Sequence, residues 1–234
     1  MSLPGPGAGT ENPPRRVAVF DLDGTITSRD TLVPFLLGYL ARHPWRAWHL
    51  WRLPFSLLRY ALGLSDRGRL KSTLIRQVIG PARRQQIDAW AEQFCNARLP
   101  RLVNRRALQA IERHRAAGDH LVLLSASVDL YVPHIASRLG FDEAVCTGLS
   151  WQGDRLEGRL TTENRRGAEK TRCIERLRER HPGTRFAAYG NAASDFDHLL
   201  RVEEPLVVNA GSRTRRRAGE LGLAVADWRV TGPR

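Results

Sequence analysis

Cysteine, lysine and long apolar runs are all scarce in this 234-residue chain, and each scarcity excludes something. The three cysteines, Cys95, Cys146 and Cys173, are odd in number, widely spaced and in no CxxC pattern. They offer neither a disulfide frame nor a zinc site, and they fit a reducing compartment. The longest uncharged apolar piece, TLVPFLLGYLA (31–41), falls well short of the ~20 residues a spanning helix needs, so no transmembrane segment is expected. Residues 1–16, MSLPGPGAGTENPPRR, are rich in Pro and Gly and have no apolar centre. They read as a disordered lead-in and not as a secretory signal. The expectation is a cytoplasmic protein, with peripheral contact to a membrane left open.

Lysine is the scarcest charged residue: only Lys71 and Lys170 occur, so 35 of the 37 basic residues are arginines and the net charge is +13. A coding bias toward arginine accounts for such a makeup. The charge also suits acidic lipid, nucleic acid or phosphorylated substrates, but it names none of them. In a chain that nearly always uses arginine, the two places that keep lysine call for a reason. The hydrophobic content of 42% supports a real core and argues against wholesale disorder.

Four short apolar runs each end in a polar or small residue: VAVF before Asp21, LVLL before Ser125, FAAY before Gly190-Asn191, and LVV before Asn209. Short β-prone runs separated by helical stretches predict a parallel α/β sheet, whose ligands gather beyond the carboxyl ends of the strands. Between the first two runs lie about a hundred residues of helical spacing, with Ile87, Trp90, Ala91, Phe94 and Arg98 on one face. Arg67-Gly68 and Gly80-Pro81 punctuate that stretch. It predicts a helical cap over 31–117, with the catalytic core in 17–30 and 118–234. Further on, a helix from Tyr131 to Leu139 is closed by Gly140. Then Val145–Trp151, a Gln-Gly-Asp turn and Arg155–Leu160 predict a hairpin, and a basic helix covers about 168–180.

Breaking a phosphate ester requires an in-line attacker, a proton for the leaving oxygen and neutralisation of the equatorial oxygens. Asp21 and Asp23 can supply the first two if a cation and positive groups relieve their repulsion. Ser125 can donate a hydroxyl to a phosphate oxygen, and Lys170 can place a compact charge on it. Asn191 and Asp195 can complete an oxygen-rich shell for Mg2+. Taken alone, Asp21-Leu22-Asp23-Gly24 also reads as an ordinary Asp-Gly turn.

FDLDGT (20–25), Ser125 in LLSAS (123–127), Lys170 in GAEK (167–170) and GNAASD (190–195) stand in the order of the four motifs of the haloacid dehalogenase superfamily. The chain resembles its phosphoserine-phosphatase-like subfamily IB, with a helical C1-type cap, from Val17 to Trp228. That resemblance implies an α/β fold, a Rossmann-like three-layer core with a parallel sheet plus the inserted helical cap. It also implies Mg2+ dependence and an aspartyl-phosphate intermediate. Asp21 would be nucleophile and metal ligand. Asp23 would be general acid/base, its carbonyl also touching the metal. Ser125, Lys170 and Gly24 would hold the phosphoryl group, and Asn191 and Asp195 the metal. The last motif most often carries aspartate after its glycine; Asn191 departs from this and should weaken metal binding while activity survives.

The expected activity is therefore a Mg2+-dependent phosphomonoester phosphatase acting on a small phosphorylated metabolite or a lipid phosphate. A second reading is a catalytically weak basic protein that binds anionic membrane or nucleic acid, with RTRRR (213–217) against phosphates. A solvated helix face explains that run more simply, so nucleic acid is the weaker partner. The seven histidines are scattered and read as surface or satisfied core residues. In the segment 44–54, Trp45, Trp48 and Trp51 interleave with Arg46, His49 and Arg52. It reads either as a cap helix cored by its tryptophans or as a helix at a membrane interface.

Overall fold

Successive residues of Val17–Phe20 go to opposite sides of one sheet, and each side has its own core. Ala18 and Phe20 pack with Leu121 and Leu123 in one core. Val17 and Val19 pack with Val122 and Leu124 in the other. A strand buried on both faces must be continuously apolar, which is why VAVF and LVLL show no polar alternation. The computed structural model describes residues 15–229.

The chain runs from β1 (Arg16–Phe20) into α1 (Leu32–Arg42), a 3-10 segment (Pro44–Arg52), α2 (Leu53–Ala61), α3 (Arg67–Val78), α4 (Arg84–Ala97), α5 (Leu99–Leu102) and α6 (Arg105–Ala116). There follow β2 (His120–Val128), α7 (Val132–Leu139), β3 (Glu143–Thr147), β4 (Leu149–Gln152), β5 (Arg155–Leu160) and α8 (Ala168–Arg180). The last elements are β6 (Arg185–Gly190), α9 (Phe196–Leu199), β7 (Glu204–Val208), α10 (Ser212–Glu220) and β8 (Ala224–Ala226). The main sheet has the order β3-β2-β1-β6-β7-β8 with every pair parallel. Strand order therefore reverses between β1 and β6, and such a switch point opens a crevice at the strand ends.

Most of the lead-in assigned to residues 1–16 lies outside the described residues. Arg16, however, belongs to the fold: it opens β1 and donates to Asp119 at 3.2 Å and Glu204 at 2.9 Å. The four apolar runs are β1, β2, β6 and β7. The predicted arm Val145–Trp151 is two strands, because the chain turns at Gly148. Thr147 pairs in parallel with Val128, and Leu149 pairs antiparallel with Leu160. Arg67-Gly68 does not interrupt a helix but begins α3, whose N-cap Asp66 accepts from the Arg69 amide at 2.8 Å.

The helices between β1 and β2 divide by what they cover. The α6 helix turns Ala107, Ala110, Ile111 and His114 inward. There His114 is satisfied by Asp119 at 2.6 Å and the Tyr189 hydroxyl at 2.7 Å. The α4 helix buries Ile87, Trp90, Ala91 and Phe94 as its spacing predicts, while Arg98, just past its end, is exposed. Phe35 of α1 meets Phe94 at 5.3 Å and Tyr131 at 4.5 Å between ring centroids, joining this layer to the residues after β2. The β4–β5 hairpin packs on α3, with Ser72 donating to the Gly158 carbonyl at 2.7 Å. All three cysteines are free thiols, and no helix of the described residues is long and apolar enough to cross a membrane.

Candidate active site

The β1 strand stops one residue before Asp21, whose amide still donates to the Tyr189 carbonyl of β6 at 3.0 Å. The carboxylate is thereby delivered to the switch point between β1 and β6. Thr25 donates to its Oδ2 at 3.0 Å and Lys170 to its Oδ1 at 2.6 Å. Lys170 sits in the first turn of α8, is almost wholly buried, and reaches Asp195 at 2.9 Å as well. One ammonium thus lies between two carboxylates drawn from opposite ends of the chain.

Burial pushes the Asp21 carboxyl above its ordinary value. Burial alone would lower Lys170, but Asp21 and Asp195 overcome it and hold the ammonium above the usual lysine range. Burial opposes the Asp195 charge too, and Lys170 outweighs it, so Asp195 is held low. A compact ammonium suits this geometry better than a planar guanidinium fork.

Asp23 takes a separate set of partners. Its Oδ1 accepts from the Thr31 amide at 2.8 Å and the Thr31 hydroxyl at 2.7 Å, and its Oδ2 from the Ser127 hydroxyl at 2.7 Å. The Tyr131 hydroxyl lies 3.0 Å from Thr31 Oγ1 and closes this network. Burial raises the Asp23 carboxyl despite these donors. A carboxyl raised by burial is suited to proton transfer, and one fixed on three sides keeps its aim.

Ser125 is fully buried at an irregularity in β2, where the pairing with β3 shifts register between Leu124 and Val128. Bulges of this kind re-aim side chains. Ser125 Oγ accepts from the Ser127 amide at 3.0 Å. Its own proton remains available to an anion.

Gly24 has φ +83°, and a Cβ there would lie 2.0 Å from Asn191 Nδ2. A larger residue there would be strained at that φ and would have to push the Asn191 amide aside. Asp195 is committed: Oδ2 accepts from the Asn191 amide at 3.1 Å and the Ala192 amide at 3.0 Å, while Oδ1 takes Lys170. Among the described residues no three His, Cys, Asp or Glu side chains converge as a metal cluster. The side-chain oxygens that could serve a cation here are the Asp21 carboxylate and Asn191 Oδ1, which lies 3.6 Å from where a Gly24 Cβ would be.

All the expected site residues thus collect at the strand ends. Sequence reasoning did not find Thr25, Thr31, Ser127, Tyr131 or Lys71 as partners. Ser127 lies within the quoted LLSAS stretch, so its spacing from Ser125 was the available signal. Asn209, flagged as a polar strand end, has φ +57° and donates to the Gly24 carbonyl at 2.8 Å. It braces the Asp21 loop from β7.

The model of the haloacid dehalogenase-like hydrolases matches residues 18–199. The chain belongs to that family. It is 35% identical over 196 residues to protein CicA of Caulobacter vibrioides, covering 80% of this chain and 83% of that one. It is 24% identical to phosphoserine phosphatase SerB1 of Mycobacterium tuberculosis, over 98% of this chain and 78% of the other. A Bordetella pertussis protein of unknown function has the same fold, with TM-score 0.77 and 22% identity over 92% and 99% of the two chains. The family and the phosphatases among the relatives place this hydrolase with the phosphoric monoester hydrolases.

Proposed function

We propose that the protein is a Mg2+-dependent phosphomonoester phosphatase that works through an aspartyl-phosphate on Asp21. The observation that carries this reading is Lys170 held between Asp21 and Asp195, with Asp23 separately fixed by three donors. Asp21 attacks phosphorus in line, forming the Asp21 O–P bond as the ester P–O bond breaks. Asp23 gives its proton to the departing ester oxygen. It then takes a proton from the water that attacks the phospho-Asp21, which releases phosphate and restores both carboxyls. Ser125 and Lys170 bind the phosphoryl oxygens throughout, and the Gly24 backbone lies alongside.

The residues present fit a magnesium ion, because the Asp21 carboxylate, the Asp23 carbonyl and the Asn191 amide carbonyl each offer a hard oxygen. Asp21, the Asp23 carbonyl and Asn191 would hold it. Asp195 would act through Lys170 and the loop amides it already binds. Charge supports this assignment: two carboxylates and one ammonium leave the pocket negative before a phosphate dianion enters. When bound, the ion supplies the positive charge that offsets phosphate against Asp21.

The substrate class is a small phosphorylated metabolite, which SerB1 among the relatives supports, or a lipid phosphate. The helices from α1 to α5 form the cap that selects it, while α6 packs beside the sheet. Hydrolysis of an aryl phosphate with Mg2+, repeated with chelator and with Asp21→Asn, tests the reading. Turnover should vanish in both controls; turnover that survives Asp21→Asn refutes it.

A further inference from the structure

The tryptophan-rich segment takes no part in that chemistry, and its tryptophans do not form a core. Trp45, Trp48 and Trp51 are exposed by 66%, 81% and 69%. Pro44–Arg52 is a 3-10 helix, in which side chains three apart eclipse one another. The three indoles therefore stand in one row, Arg46, His49 and Arg52 in a second, and the third carries Leu50 inward against the core. In an α-helix the same spacing would spread each row round the axis.

The apolar row continues through α2 to its C-cap, where Phe55, Leu58 and Leu62 follow helical spacing and are exposed. Of the twelve large apolar side chains exposed among the described residues, ten lie between Val33 and Leu64. Soluble chains rarely leave so concentrated an apolar surface uncovered. Between Thr31 and Ser65 there is no Asp or Glu. Elsewhere about half of the described arginines pair with carboxylates, Arg178–Glu203 and Arg180–Glu143 among them. Among the described residues Arg42, Arg46, Arg52 and Arg59 enter no ion pair. Arg42 and Arg52 instead lie 4.2 and 5.2 Å from the ring centres of Trp90 and Trp51.

We propose that the outer face of α1, the 3-10 segment and α2 docks on an anionic phospholipid bilayer. Indoles suit the headgroup boundary, and unpaired arginines beside them suit anionic headgroups. A second copy of this chain fits less well, since it would set a carboxylate-free basic face against itself. Beside the row opens a cleft of about 1030 Å3 whose walls include Arg46, Trp51, Arg52 and Phe55, with room for a headgroup. The docked face also adjoins the site: α1 turns Phe35 toward Tyr131 and shows Val33 and Leu37 to solvent.

The test is co-sedimentation of the full chain with vesicles of phosphatidylcholine plus phosphatidylglycerol, and of phosphatidylcholine alone, at low and high salt. The expected result is binding to the mixed vesicles, with a blue shift of tryptophan emission, that weakens with salt. Trp48→Ala/Trp51→Ala should lower the partition coefficient at least about tenfold, and Arg52→Gln/Arg59→Gln should remove the salt-sensitive part. Circular dichroism and aryl phosphate turnover without vesicles should be unchanged in both variants. The proposal is overturned if the wild type does not bind mixed vesicles at low salt, or if the tryptophan variant binds as well as wild type. It is also overturned if the chain is a dimer that the same substitutions dissociate. Binding by a protein without phosphatase activity would sustain this inference while refuting the catalytic one.

Discussion

Replacing Gly24 with alanine tests how the two halves of the site are brought together. The added methyl meets two separate obstacles. The first is the backbone at φ +83°, where an L side chain costs about 1–2 kcal/mol. The second is Asn191 Nδ2, 2.0 Å from the new Cβ, an overlap that must be relieved by moving the amide or the loop. Overpacking of this sort costs about 1–3 kcal/mol. Together they predict a loss of roughly 2–5 kcal/mol, which for a domain of this size lowers Tm by about 10 °C. The two parts separate in a double-mutant cycle. Asn191→Gly in the Gly24→Ala background removes the overlap but not the backbone strain, so about 1–3 kcal/mol should return. Activity should not return with it, because the proposed metal donor at 191 is gone. Urea unfolding of the four proteins, with aryl phosphate turnover alongside, gives both readouts. Gly24→Ala as stable as wild type, or additive effects of the two changes, would refute the close approach of these loops.

Three further outcomes follow from the same geometry. Asp23→Asn should slow hydrolysis of an alkyl phosphate by about 10²–10⁴-fold but that of an aryl phosphate far less, because a good leaving group needs little protonation; equal losses on both would remove Asp23 from the acid role. Asn191→Asp should lower the half-saturating Mg2+ concentration about tenfold, one added charge toward a divalent cation, and an unchanged titration curve would remove residue 191 from the metal's neighbourhood. Burial pushes Lys71 down to about 8 from its model-compound value of 10.5, so between these values the unfolded chain binds more protons and stability should rise with pH across that window. The gain is at most about 3 kcal/mol, and Lys71→Met should flatten this part of the profile in urea melts; an identical slope in the variant would show Lys71 to be unburied.

How much of this was legible depended on whether a residue's task is local. The runs ending at Phe20, Leu124, Tyr189 and Val208 are buried on both faces, so their composition alone marks them as central strands. Strands β3 and β8 lie at the sheet edges, where burial is partial and EAVCT and AVA carry no distinctive pattern. Asp21 and Asn191 follow strands, Lys170 opens a helix, and Ser125 follows the apolar run within β2, all at recognisable spacings. Thr31, Ser127 and Tyr131 act only through their contact with Asp23 and with each other, and common residue types give no sign of that. The tryptophan segment allowed two readings, and the exposure of its three indoles removes the core one. Spacing alone could not choose, because a 3-10 winding, unlike an α-helical one, aligns residues three apart.

The two lysines bear out the suspicion that they are not interchangeable with the arginines around them. Many arginines here serve ion pairs at or near the surface, such as Arg178–Glu203 and Arg180–Glu143, where a broad fork and an exposed stem are an advantage. Lys170 must touch Asp21 at 2.6 Å and Asp195 at 2.9 Å from within a closed core. Lys71 meets a similar restriction. From α3 it donates to the Ala126 carbonyl at 2.5 Å and to Asn164 at 2.6 Å, tying the helices between β1 and β2 to the residue that follows Ser125. An ammonium can serve both acceptors from one point and still give up its proton when desolvated, which a guanidinium does not. Each lysine therefore sits where a single small charge has to satisfy partners from separate parts of the chain.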